Sequence, residues 1–140
     1  MPSITTREFI IDDYEQTVAL WNLVQGVEVA EGDSKEEIRA YLLRNSGLSR
    51  VAEMNGLIVG AVLCGHDGRR GLIYHLAVAP AQHRQGIGKR LVQECVARLR
   101  TAGIARALIL VARDNASGHS FWLRTGWEDV PGALLMGIDL

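Results

Sequence analysis

The spacing of apolar and polar positions changes period several times along this chain, and each change predicts a new element. Ser3 to Phe9 reads as a first strand, after which Asp12 or Asp13 stands where a helix cap is expected. Tyr14, Val18 and Trp21 follow at helical spacing, which predicts an amphipathic helix through Trp21. Gln25 to Asp33 contains two glycines and little periodicity, so it reads as a loop. Ser34, with Glu37 three residues later, has the form of a capping box. Ile38, Tyr41 and Leu42 then mark one face of a second helix ending near Gly47.

From Leu48 the period changes again. Ser49 to Glu53, the turn Asn55-Gly56 and Leu57 to Cys64 read as a hairpin, because Asn-Gly supplies the positive φ angles of a tight turn. A polar, glycine-bracketed turn from Gly65 to Gly71 leads into a strand from Leu72 to Val78, which Pro80 stops because proline cannot donate to a sheet ladder. Strict alternation on this strand puts Leu72, Tyr74 and Leu76 on one face and Ile73, His75 and Ala77 on the other. A helix from about Gly86 to Arg100 turns Ile87, Leu91, Cys95 (or Val92 and Val96) and Leu99 inward, and Gly103 closes it. Ala107 to Ala112 is a continuous apolar run of the kind that forms a strand buried on both faces. Ser117 to Thr125 reads as a last helix, and Leu134 to Leu140 as a final strand after the Pro131-Gly132 turn. The order predicts one mixed α/β domain over 1–140, in which the strands flanking the crossover helix are parallel neighbours.

Composition narrows the function classes. With 140 residues, 48% apolar and 22% charged, the chain matches ordinary globular usage and excludes disordered and collagen-like classes. The formal net charge of −1 gives no overall pull toward nucleic acid or an anionic membrane. No apolar stretch approaches the ~20 residues that span a bilayer, and the first residues lack the apolar core of a signal peptide, so a soluble cytoplasmic protein is expected. Cys64 and Cys95 read as small buried hydrophobes. The four histidines and two distant cysteines have no metal-ligand spacing, and no metal is expected.

The informative stretch runs from Leu76 to Leu91: a strand, a proline stop, a polar loop with two glycines, then an amphipathic helix. A helix start leaves backbone N–H groups unpartnered, and its dipole favours an anion. Gly86 and Gly88 let the backbone approach a phosphate, while Arg84 and Lys89 add charge beside it. A P-loop is excluded because Arg90 follows Gly88-Lys89, and a dinucleotide fingerprint because Leu91 replaces the third glycine.

Val78-Ala-Pro-Ala-Gln-His-Arg-Gln-Gly-Ile-Gly88 resembles the signature of the GCN5-related N-acetyltransferase (GNAT) superfamily, Gln/Arg-x-x-Gly-x-Gly/Ala. Asn115-Ala-Ser-Gly-His-Ser-Phe-Trp-Leu-Arg-Thr-Gly-Trp127 is similar to a second element of that family. The specific motifs cover Leu72 to Trp127; the first half matches in outline. The resemblance implies a GNAT-like acyl-CoA N-acyltransferase fold, a central twisted mixed sheet splayed between its fourth and fifth strands, with about four helices. Acetyl-CoA would insert as a pseudo-strand in the splay, as a co-substrate, and an amine acceptor, small molecule or protein, would attack it directly. The implied coenzyme contacts are Leu76, Ala77 and Val78 on the strand, His83, Arg84, Gln85, Gly86, Ile87, Gly88 and Lys89 in the loop and helix start, and Asn115 and Trp122 downstream. The backbone N–H near Leu76 would stabilise the developing oxyanion.

Two positions depart from the family pattern. His83 stands where Gln or Arg is usual. Trp122 replaces the frequent tyrosine assigned to protonating the leaving thiolate, and an indole N–H is too weak an acid for that role. This second departure motivates an alternative reading, an acyl-CoA-binding module or sensor with weak or no transfer. Tyr74 is the expected cleft-facing catalytic group, whereas His75 is expected on the wrong face. The acidic loop Glu28, Glu31 and Asp33 reads as solvated, and its implied place near the acceptor entrance points to a cationic acceptor. The residues do not fix the oligomeric state; in this family final strands often pair across a homodimer.

Overall fold

Five strands and four helices follow one another in the computed structural model, which describes residues 3–140. They divide between two compact units, Met1–Leu110 and Val111–Leu140. In the first, β1 (Thr5–Glu8), β2 (Arg50–Met54), β3 (Leu57–His66), β4 (Gly71–Val78) and β5 (Ala107–Ile109) lie side by side in chain order. The first three pairings are antiparallel, and β4 pairs with β5 in parallel across the crossover helix α3 (Ile87–Thr101).

Local chemistry sets most of these boundaries. The β2–β3 turn is held by Asn55 and Gly56, both at positive φ. Helix α2 (Lys35–Arg44) starts on a complete capping box: the Ser34 hydroxyl accepts the Glu37 amide at 3.2 Å, and the Glu37 carboxylate accepts the Ser34 amide at 3.3 Å. The predicted aspartate cap of α1 (Tyr14–Trp21) takes another form. Asp13 precedes the helix, but its carboxylate accepts the Ile10 amide at 2.9 Å and two bonds from the Arg7 guanidinium at 2.7 and 2.8 Å. A buried carboxylate is satisfied best by a cation that can make two bonds at once, and Arg7 on β1 is within reach.

The sheet carries a core on each face. Ala61 and Leu63 of β3 join Phe9, Leu20, Trp21 and Ile38 beneath α1 and α2. The alternate β3 positions meet α3: a side chain at Gly60 would strike Ile87 and Leu91, and Cys64 lies beside Cys95. On α3 the predicted inward positions Ile87, Leu91, Cys95 and Leu99 are buried; of the alternative pair, Val92 is buried too, whereas Val96 is only half-buried. Each large apolar side chain so buried contributes roughly 1.5–3 kcal/mol. Both cysteines are free and buried; contact with Cys64 and then burial push the Cys95 thiol up, which keeps it neutral and unreactive.

The strand Ala107 to Ala112 is shorter than expected, ending at Ile109, and its residues are half-buried rather than buried on both faces. Its neighbour β4 is irregular beyond the same point. Ala61 faces Ala77 and Leu63 faces Tyr74, so His75 and Leu76 together oppose Val62. This bulge holds His75 at φ +52, and a bulge bends its strand and increases the local twist. The β4–β5 ladder holds three pairs, Gly71 with Ala107, Leu72 with Leu108 and Ile73 with Ile109, and stops two residues before His75.

In the second unit, α4 (Ala116–Arg124) starts at Asn115, whose side-chain oxygen accepts the Gly118 amide at 3.1 Å. The expected final strand does not form: 134–140 has no ladder partner among the described residues, and Leu134, Leu135, Met136 and Ile138 are exposed. An apolar run states what it would bury, but a strand exists only where another strand completes its hydrogen bonds.

Candidate active site

Beyond Ile73, β4 runs on from Tyr74 to Val78 with β3 as its only strand partner among the described residues. That leaves a stretch of backbone able to pair with an amide-bearing ligand. The chain then makes a short 3-10 turn at Pro80–Gln82 and enters α3 through Arg84 and Gly86, both left-handed at φ +66 and +77. At Gly86 this conformation is free of strain, and it leads into the first amides of α3. No side chain caps them, so Ile87, Gly88 and Lys89 present the unpartnered N–H groups of a helix start. Arg84 and Lys89 are exposed and have no acidic partner among the described residues. The loop is thus a cationic concentration of donors at the positive end of a fifteen-residue helix.

His83, the first departure from the signature, has a definite place. Its ring donates through Nε2 to the Val78 carbonyl at 2.9 Å, tying the loop back to the end of β4. The Val78 carbonyl therefore already has one partner, and its second lone pair still admits another donor. Gln85 donates to the Gln82 side chain at 3.0 Å, which fixes the loop from within.

Tyr74 lies on the α1–α2 face and lines a cavity of about 200 Å³ with Tyr41, Arg44 and Leu72 among its walls. The Tyr41 hydroxyl is buried there without a partner, and burial pushes its pKa up. His75 does not point to the opposite face. The extra residue of the bulge turns it onto the Tyr74 side, where its ring packs edge-on against Trp21 at 4.8 Å between centroids. Asp33 is likewise not solvated: it is 7% exposed, and its Oδ2 accepts His75 Nε2 at 2.8 Å and the Ala30 amide at 3.0 Å. Glu28 and Glu31, on the same loop, are exposed as expected. The pairing of Asp33 with His75 was missed because neither the bulge nor the loop path leaves a local mark in the sequence.

Within the second unit, Trp122 is buried in edge-on contact with Phe121 and Trp127 at 5.1 and 5.0 Å. His119 meets Asp129 at 2.6 Å on the exposed surface. Among the described residues no group of three or more His, Cys, Asp or Glu side chains comes together, and no helix is long and apolar enough to cross a membrane.

Known proteins are similar to this chain. An acetyltransferase of Sodalis glossinidius is 30% identical over 131 residues, 94% of this chain and 92% of the relative. One of Yersinia pseudotuberculosis is 34% identical over 122 residues, 87% and 86% of the two chains. The PaiA N-acetyltransferase of Thermoplasma acidophilum, solved in complex with coenzyme A, shares the fold with a TM-score of 0.77 at 22% identity, covering 90% of each chain. The model of the acetyltransferase (GNAT) family matches residues 11–127, and with the interrupted β4–β5 ladder and the donor-rich start of α3 already in place, the chain belongs to that family.

Proposed function

We propose that this protein is an acetyl-CoA-dependent N-acetyltransferase that passes the acetyl group to a primary amine by direct attack in a ternary complex. The observation that carries the proposal is the end of the parallel ladder at Ile73 with Ile109, immediately before a bulge and a strand that leads into the uncapped start of α3. An extended ligand with amides at one end and phosphates at the other matches both features in that order. Coenzyme A is such a ligand, and the Thermoplasma acidophilum relative carries it.

In this reading the backbone of Leu76, Ala77 and Val78 holds the pantetheine arm. The amides from Arg84 to Lys89, with the two cationic side chains, hold the pyrophosphate, and His83 secures the loop that presents them. The Leu76 N–H polarises the thioester carbonyl as the oxyanion develops. Tyr74 positions the acceptor from the neighbouring cavity. Asn115 and Trp122 enter through the family resemblance alone, and an indole N–H at 122 is too weak an acid to protonate the leaving thiolate. A thiol of ordinary pKa near ~8.5 leaves readily as thiolate, so turnover does not require an acid at that position. The net charge of −1 gives no overall pull toward nucleic acid or an anionic membrane, and this reading places the reaction in the cytoplasm.

Calorimetry with acetyl-CoA, followed by a thiol-release assay across small amines, amino acids, polyamines and peptides, tests the proposal. Binding with amine-dependent thiol release is the expected result. Binding without release from any acceptor would instead identify an acyl-CoA-binding module, the reading that Trp122 motivates.

A further inference from the structure

We infer that His75, oriented by Asp33, is the group that accepts the proton of the acceptor amine; the inference rests on the transfer reaction proposed above. The bulge beyond the β4–β5 ladder also places His75 one residue before the proposed oxyanion donor, Leu76. It does so at a cost, because φ +52 is an uncommon conformation for a non-glycine side chain and is held there by its surroundings. Trp21, fully buried, packs edge-on against the ring, and Asp33 binds Nε2 at 2.8 Å.

Asp33 is held in turn. Its Oδ2 also accepts the Ala30 amide, its own amide donates to the Ala30 carbonyl at 3.2 Å, and the Tyr14 hydroxyl donates to its carbonyl at 2.7 Å. A carboxylate only accepts, so the Nε2 facing it carries the hydrogen, and the lone pair of the neutral ring lies on Nδ1. No described protein group meets Nδ1, and one fifth of the side chain is open to solvent. The titratable groups around the ring are Asp33 from the α1–α2 loop, Tyr14 from α1 through the Asp33 carbonyl, and Tyr74 as its neighbour on β4. A histidine in a plain structural role needs neither a left-handed backbone nor a free nitrogen beside the reacting end of a strand gap.

The proton balance follows. An amine arriving as an ammonium gives one proton to His75 Nδ1, which passes it to water. The freed lone pair forms the C–N bond as the C–S bond breaks, and the second nitrogen proton reaches the departing sulfur through solvent. The products are the amide, coenzyme A and one released proton.

The test compares the wild-type protein with His75→Asn and Asp33→Asn, using one acceptor of high amine pKa and one already neutral at the assay pH. Asparagine tolerates positive φ, so His75→Asn removes the base without adding backbone strain. General-base catalysis is worth about 10²–10⁴-fold. His75→Asn is therefore expected to lower kcat about 100-fold or more for the high-pKa amine and far less for the neutral one, and to leave the rate with the high-pKa amine rising with pH toward that amine's own pKa. Asp33→Asn, which can donate to Nε2 and so impose the wrong tautomer, is expected to lower kcat in the same direction. Calorimetric acetyl-CoA affinity should be unchanged in both. Equal losses with the two amines, or a change in acceptor KM and melting temperature alone, would make the pair a loop clamp and overturn the inference while leaving the transfer reaction standing. Failure of the wild-type protein to bind acetyl-CoA or release thiol would instead sink the reading beneath it.

Discussion

The two halves of β4 have the same apolar character and opposite roles. From Gly71 to Ile73 the strand is laddered on both sides, Ile73 is fully buried, and Gly71 leaves no room for a side chain. From Tyr74 to Val78 it is bulged, half-buried except at Ala77, and paired only with β3. The first half fixes where the second half lies, and the irregularity of the second is what a ligand can use. A sheet can thus be most informative about function at the point where its regularity fails.

This contrast can be broken from either side. The largest effect is expected from Gly71→Val, because a β-carbon there would lie 2.6 Å from Leu99 Cδ1, and overpacking of this kind costs about 2 kcal/mol. Thermal melts should fall by several degrees while the remaining folded protein binds acetyl-CoA with unchanged affinity. Arg84→Ala combined with Lys89→Ala should do the reverse. Their side chains are exposed, so the melting temperature should hold, while acetyl-CoA affinity drops about tenfold, some 1.4 kcal/mol, with a weaker dependence on salt.

The smallest effect concerns Glu94 on α3. Burial works against its charged form, but hydrogen bonds from Thr6 at 2.7 Å and Arg50 at 3.1 Å prevail and hold its carboxyl below the usual carboxylate range. A carboxyl lowered in the folded state contributes stability that is present above its unfolded pKa and lost as pH falls through its folded pKa. Glu94→Gln should therefore reduce stability slightly at neutral pH and flatten its decline under acid, as followed by melts across pH, without changing acetyl-CoA binding.

What was legible in the sequence was local. Ser34 with Glu37 announced α2, Asn55-Gly56 announced the hairpin, and the apolar stripe from Ile87 to Leu99 announced α3 and the face it buries, because each rests on contacts within a few residues. The candidate phosphate loop was legible for the same reason. The bulge was not: Leu72-Ile-Tyr-His-Leu-Ala-Val78 has no glycine or proline to mark it, and strict alternation sent His75 to the wrong face. Pairing between distant segments was equally hidden, which is why β5 ends at Ile109, 134–140 forms no strand, and Asp33 reaches His75 across 42 positions.

Hydrogen exchange with and without acetyl-CoA tests the central claim most directly, since it reads the backbone itself. The account predicts new protection in the second half of β4 and at the amides from Arg84 to Lys89, with Gly71 to Ile73 unchanged. Protection absent from both of those segments at saturating acetyl-CoA would contradict it.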